Sequence, residues 1–477
     1  TQGEIISMHT VRKNLILNIL YQILIIIIPL ITTPYVSRVL GSDGVGRYSY
    51  AFAIAYYFAI FAMLGVNNYG NRTIATVSGD KEKQSKTFWS IYLFQLFFAV
   101  ISVVAYILYI IFLCDDKLLG WIMLAYVLSA AFDINWFFFG MEEFKITVAR
   151  NSAVKLISII CIFLFVKNQR DIYIYAFVNV IGFLIAQIIL WTMLRKYVSF
   201  VKINISDILH HVKPNLVLFI PIIAISLYKF MARIMLGGMS TSNEVGYYES
   251  CEKILQIPVA LITALGTVML PRISNMIADK KGKEGLQYMK KSLVLTLLVA
   301  SPLSFGIMAV AREFVPWFYG NGFEKCIDIF QILMPSCLFL AFANVVRTQY
   351  LIPYKRDKVY IISVILGAIM NIIINVLLIP EYQSIGAAIG TFVAEGTVFF
   401  IQCFAIRKEI NVFKYAIYGM PFIFFSLIMY AILIRWDILI LDFFITMVIK
   451  IIVGSIIYCA LTGLFLLFLK KRKFQLQ

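Results

Sequence analysis

Charge is scarce in this chain. Asp, Glu, Lys and Arg make up 14% of its 477 residues, while 61% are hydrophobic. Soluble domains carry about 25% charged and about 45–50% apolar residues. One soluble core cannot hide that surplus, so much of it must face lipid. Histidine is scarcer still. His9, His210 and His211 lie outside the apolar runs and read as solvated surface. The cysteines Cys114, Cys161, Cys251, Cys326, Cys337, Cys403 and Cys459 are scattered with no CxxC pair, which argues against a zinc site or a disulfide framework. There is no GxxxxGK[ST] loop for a bound ATPase motor and no HExxH pair. No polar run is long enough for a soluble domain, or for the large outer loop that a membrane glycosyl polymerase or ligase needs for catalysis. No catalytic residue, metal or cofactor is therefore assigned, and the chain is expected not to be an enzyme.

What is present is a series of apolar runs, each near the roughly 20 residues that a helix needs to cross a bilayer. Fourteen spans are predicted. The first six are Asn14–Val36, Tyr48–Gly65, Phe88–Leu113, Leu118–Gly140, Ser152–Val166 and Ile172–Leu194. The next six are Leu216–Leu236, Val245–Leu270, Leu293–Ala311, Ile327–Leu351, Val359–Ile379 and Ile385–Ala405. Tyr415–Ile434 and Phe443–Leu469 complete the set. The first run is long enough to span, so it reads as a helix rather than a cleavable signal. The fold class expected is an all-α polytopic membrane protein.

The formal charge of +17 is a topology signal. With the N-terminus inside, the inner segments carry roughly 30 Lys and Arg against roughly 8 outside, as the positive-inside rule requires. Arg12, Arg72, Lys145, Arg150, Arg272, Arg347, Arg407 and the tail Lys470, Lys471, Arg472 and Lys473 are on the inner side. Arg38, Arg47, Lys117 and Arg312 are among the few outside. Both termini are expected in the cytoplasm. The basic side suits anionic inner-leaflet lipids, not nucleic acid.

The chain also repeats itself. Val45, Gly46 and Tyr48 match Val245, Gly246 and Tyr248 at an offset of 200, and Arg72 matches Arg272 at the same offset. Asp80-Lys81 and Asp279-Lys280 follow in both halves. Each repeat holds six spans, so both halves enter the membrane with the same orientation. That implies two lobes, 1–194 and 195–405, related by an axis along the membrane normal with a substrate site between them. The last two spans and a basic tail, 406–477, lie outside the repeat. Arg38, Gly41, Gly46, Gly237 and Gly246 sit in the outer connections. They are either simple tight turns or loops that close an outer gate. Pro29 and Pro221 fall in corresponding spans and are either gating or packing kinks.

Ionisable groups inside the membrane are costly and therefore few. Lys229 and Arg233 lie four residues apart, on one helix face. Two cations there need an anion. Glu249 and Glu252 could supply it as a closed structural cluster, with Lys253 pairing Glu249 within its helix. Alternatively the cations line a water-filled cavity and bind phosphate. Asp133 and Glu395 are each either a hydrogen-bonded helix contact or a group that takes a proton or a sodium ion during transport.

Several of these stretches together resemble a known family. Pro34, Tyr35, Arg38, Leu40-Gly41 and Gly44-Val45-Gly46 are similar to the N-terminal run of Wzx-type polysaccharide flippases. So are Asp133, Trp136, Gly140, Glu142 and Phe144, and Ile234-Met235-Leu236-Gly237 with Gly246-Tyr247. These flippases belong to the multidrug/oligosaccharidyl-lipid/polysaccharide exporter superfamily. Similar proteins often carry an acidic residue paired with Lys before Met-Leu-Gly, where this chain has Ala232-Arg233.

The resemblance implies two six-helix bundles around a central cavity, plus two extra helices. It implies a flippase that moves an undecaprenyl-diphosphate-linked repeat unit across a bacterial cytoplasmic membrane by alternating access, for capsule, O-antigen or exopolysaccharide assembly. A polysaccharide polymerase and glycosyltransferases are the partners this implies, beside the lipid-linked oligosaccharide and membrane lipids. Lys229 and Arg233 suit the diphosphate, and Tyr228, Tyr247, Trp136 and Asn344 suit the sugars. Two alternatives stand beside it. A multidrug or small-cation exporter of the same fold would favour an acidic or apolar cavity. A membrane glycosyltransferase or polymerase would need the catalytic loop that is not evident.

Overall fold

The computed structural model describes the backbone of residues 2–474 apart from 280, 281, 411 and 437–441. Side chains are described for 27–469, apart from those positions and 144, 267, 268, 282, 283 and 413. Lys280 of the second Asp-Lys match thus lies outside the described residues, as do the side chains of Arg12 and of the tail cations Lys470, Lys471, Arg472 and Lys473.

Two compact units divide the chain, Thr1–Ser226 and Leu227–Gln477. The first holds α1 (Gln2–Met63), α2 (Val66–Val77), α3 (Lys81–Phe112), α4 (Lys117–Ala131), α5 (Asn135–Gly140), α6 (Phe144–Phe165), α7 (Ile172–Leu194), α8 (Ile205–Leu209) and the start of α9 (Val212–Met239). The second holds the rest of α9, then α10 (Ser242–Ala278), α11 (Gly282–Tyr319), α12 (Lys325–Leu333), α13 (Ser336–Val346), α14 (Asp357–Ala405), α15 (Val412–Ile434) and α16 (Phe443–Phe474). No strand occurs among the described residues. The division falls inside α9, beyond the 194/195 boundary expected from the repeat. The last two helices do not stand apart: Met429 and Leu433 of α15 and Tyr458 of α16 enter the same core as Ala300, Phe305 and Met308 of α11.

Among the described residues, twelve helical stretches are long and apolar enough to cross a membrane. Two of them are too long for one crossing. α14, at 49 residues, would extend about 73 Å as a straight helix, against a hydrocarbon core of about 30 Å. It breaks at Gln383, whose φ is 54°. The chain doubles back there: a Cβ on Gly386 would lie 2.6 Å from the Leu378 carbonyl oxygen, so only glycine admits the approach. The Glu244 carboxylate accepts from the Ser384 N–H at 3.1 Å and from its hydroxyl, capping the helix that restarts. α1 breaks likewise at Gly41, with φ 69° and ψ 178°. Counting each broken helix as two crossings gives the fourteen expected from hydropathy. Large apolar side chains such as Phe97, Leu164, Leu377 and Leu464 are exposed along these helices, as a lipid-facing surface requires. The chain is a multi-pass membrane protein.

The glycines of the connections divide in role. Gly41 alone of the named set takes a positive φ. Gly46, Gly237 and Gly246 are helical, and Gly46 and Gly246 are buried in the first turns after the two connections, so they are not flexible loop residues. Pro29 and Pro221 both sit within continuous helix.

In the first unit the core gathers around Trp136, Phe88, Phe137 and Phe138. α2 lies against α5 because Gly70 leaves room: a Cβ there would fall 2.5 Å from the Trp136 ring. Gly140 gives the reciprocal clearance, 2.8 Å from the Asn71 carbonyl.

Candidate functional site

The second unit carries the expected charge cluster. Arg233 Nε lies 2.7 Å from Glu249 Oε2, and Arg233 Nη2 donates to Glu252 Oε2 at 2.8 Å. Lys253 Nζ lies 3.3 Å from Glu249 Oε1, across one turn of α10. Arg233, Glu249 and Glu252 are all largely buried, so each charge is met by its neighbour rather than by water. Removing one partner from such a set costs more than the set contributes when intact. Lys229 differs. It is exposed on α9 one turn earlier, and it makes no ion pair among the described residues. The structure therefore separates the two cations that share the helix face.

The sugar-facing candidates are mostly turned inward. Trp136 is fully buried, and its indole N–H donates to Gln95 Oε1 at 3.0 Å. It is a core residue, not a sugar contact; its size and its N–H are both absorbed by packing. Asn344 donates to Thr263 Oγ1 at 3.4 Å, and its Oδ1 is buried in the approach of α13 to Gly266 of α10. It is a helix–helix contact. Tyr228 buries its hydroxyl beside the Glu395 carboxyl without closing a hydrogen bond of standard geometry, and Glu395 is itself buried. Tyr247 is half-buried, its ring edge-on to Phe323.

The first unit holds the feature that residue patterns did not reveal. The fourth expected span, Leu118–Gly140, is not one helix. It ends as α4 at Ala131 and restarts as α5 at Asn135, and Asp133 lies in the gap. A broken helix frees carbonyls that lipid cannot satisfy. Gln95 of α3 repairs two of them, donating Nε2 to Ala130 O at 2.8 Å and to Asp133 O at 2.9 Å. The Trp191 indole N–H meets another, Phe132 O, at 3.0 Å.

The break aims Asp133 into a polar network. Its Oδ1 accepts from the Asn135 backbone N–H at 2.9 Å and from Asn135 Nδ2 at 2.7 Å. Asn135 Nδ2 also donates to Gln187 Oε1 at 3.1 Å. Buried Arg150 donates Nη2 to Asn135 Oδ1 at 2.9 Å and Nη1 to Ala186 O at 2.8 Å. Beside this network lies a cavity of about 280 Å³, lined by Asp133, Gln187, Asn67, Tyr56, Tyr126 and Phe183 among others. Asp133 was legible as an intramembrane charge. Arg150 read only as an inner-side topology charge, and Asn135 and Gln187 gave no signal because amides do not stand out in hydropathy. The Asp-x-Asn spacing at 133–135, a local capping pattern, was the available clue.

Comparison with known proteins gives four likenesses. A family profile described as polysaccharide biosynthesis protein matches residues 11–277. A putative O-antigen transporter of Escherichia coli (strain K12) is 24% identical over 84% of this chain and 99% of its own length. Among solved structures, a lipid II flippase MurJ in an inward closed conformation aligns over 96% of this chain and 99% of its own, with a TM-score of 0.76 and 18% identity. An inward-facing multidrug resistance MATE family transporter of the MOP superfamily aligns over 82% of this chain, with a TM-score of 0.57 and 13% identity.

Proposed function

We propose, from the premise that the chain belongs to the polysaccharide biosynthesis protein family, that it flips an undecaprenyl-diphosphate-linked oligosaccharide repeat unit across a bacterial cytoplasmic membrane by alternating access. The observation that carries this reading is likeness along nearly the whole length of a putative O-antigen transporter. The all-helical fold, shared with a flippase, supports it. Buried polar groups inside apolar helices add a physical reason: they are expensive in lipid and mark substrate or ion pathways.

Within this reading Lys229 meets the diphosphate, because it is the exposed cation of the pair, and Arg233 holds its helix to α10. Of the two intramembrane carboxyls that could take a proton or a sodium ion, Asp133 is already tied into the Asn135 network, so coupling would act at buried Glu395. Polymerase and glycosyltransferases would work on either side of the step. The termini would be cytoplasmic, so a reporter active only outside the membrane, fused after Gln477, should be silent.

The deciding experiment deletes the gene and asks which lipid accumulates. A prenyl-diphosphate saccharide should build up on the inner face, and surface polymer should fall. Restoring the chain should reverse both. No accumulation, with altered sensitivity to cationic drugs instead, would favour the exporter reading.

A further inference from the structure

We infer that the cavity at the broken fourth span binds one pyranose ring of the substrate's saccharide, a reading that rests on the lipid-linked saccharide function above. Arg150 sets the direction of every hydrogen bond in the network. A guanidinium has only donors, so Asn135 must turn its oxygen to Arg150 and its nitrogen to Asp133 and Gln187. Gln187 must then spend its oxygen on Asn135, which leaves Nε2 as a free donor on a residue that lines the cavity. Asp133 spends Oδ1 on Asn135, which leaves Oδ2 as an acceptor. Because Asp133 and Gln187 bond to the same Asn135 nitrogen, the free donor and acceptor are fixed neighbours.

A sugar ring matches that arrangement. Adjacent hydroxyls each donate and accept, so one can donate to Asp133 Oδ2 while the next accepts from Gln187 Nε2. The ring's C–H face is apolar and packs on aromatic faces. Tyr126 and Phe183 supply these from the same cavity, with ring centroids 5.2 Å apart, and Asn67 adds a second amide. The volume, about 280 Å³, is near the lower edge of small-molecule sites, about 300–1,000 Å³. It admits one ring and not a repeat unit. A prenyl tail would not select a cavity with a carboxyl in it. A metal ion would need more acids: no group of three or more His, Cys, Asp or Glu is placed to hold one among the described residues, and Arg150 acts electrostatically against a second cation at Asp133. Arg150 and Asn135 are positioning residues, acting through Asp133 and Gln187.

The test uses the full chain in lipid nanodiscs. The probe is the free saccharide released by mild acid from the lipid that accumulates in cells lacking the chain. Saturation-transfer NMR reads contact with its ring protons. Wild type should give the signal. Gln187→Leu, which removes the donor, and Tyr126→Leu, which removes the aromatic face, checked for unchanged thermal unfolding, should each weaken binding about ten-fold, the worth of one well-placed hydrogen bond or stacked ring. Arg233→Lys should leave saccharide binding unchanged. No signal in wild type, or wild-type affinity in both Gln187→Leu and Tyr126→Leu, overturns the sugar site while lipid accumulation still upholds the flippase. Unchanged saccharide binding in Asp133→Asn, with sodium or pH dependence of transport lost, makes this a cation site and also overturns the inference. If no saccharide lipid accumulates at all, the flippase reading fails first and takes the sugar site with it.

Discussion

Lys450 Nζ donates to Glu313 Oε1 at 2.5 Å, joining α16 to α11 through an ion pair whose lysine is 1% exposed. The pairing was not legible in the sequence: Glu313 falls just beyond the expected span Leu293–Ala311, and Lys450 has no carboxylate three or four residues away to name a partner. The pair explains why the C-terminal helices are part of the second unit rather than an appendage. Lys450→Ala should strand the carboxyl and destabilise the protein by about 3–5 kcal/mol, while Lys450→Met with Glu313→Leu should recover most of that loss. Monodisperse yield and thermal unfolding in detergent measure both. Equal damage from single and double variants would mean that the pair is not what holds α16.

Arg233 and Lys229 should part company when each is removed. Arg233→Ala leaves Glu249 and Glu252 buried with one cation fewer, so protein abundance should fall. Lys229→Ala, at an exposed position, should leave abundance unchanged and lower polymer export. Immunoblots of membranes beside surface-polysaccharide assays separate the two effects. Normal export in Lys229→Ala would remove the diphosphate role from that residue.

Gln95 serves three groups at once, the carbonyls of Ala130 and Asp133 and the indole N–H of Trp136. Gln95→Leu keeps the volume and removes every hydrogen bond. Each stranded buried group costs about 1–3 kcal/mol, so this variant should unfold at distinctly lower temperature than Gln84→Leu, whose amide meets a single carbonyl, Tyr197 O. Similar melting of the two would show that the broken span does not depend on Gln95.

Gly386→Ala tests the reversal within α14. The new Cβ would lie 2.6 Å from backbone at Leu378, which cannot move aside as a side chain can. Overpacking of this kind costs about 1–3 kcal/mol. Gly463→Ala, with nothing within 4 Å of the added carbon, should be neutral or slightly stabilising, since alanine favours helix. If both behave alike, the hairpin at Gln383 is looser than the structure shows.

The helices were legible because their signal is local. A run such as Val359–Ile379 is apolar along its own length, and the bilayer thickness sets how long it must be. The pairing of Lys253 with Glu249 was also legible, since a four-residue spacing places both on one helix face. Trp136 was misread for the opposite reason. An aromatic beside an intramembrane acid looks the same in sequence whether it faces substrate or core. Only the approach of Gly70 and the acceptor on Gln95, both distant along the chain, decide for the core.

The sequence by itself determined that this chain lives in a membrane, where its apolar spans lie and where its charges concentrate, because hydropathy and charge act residue by residue. The tertiary structure alone decided what the buried polar groups do. Whether Arg233 is a binding group or a closed ion pair depends on how α10 packs beside α9. Whether Asp133 is an isolated carboxyl or one end of a network depends on Arg150, Asn135 and Gln187 meeting across a broken helix. In a low-dielectric interior a polar group takes its meaning from its partner, and partners are chosen by packing.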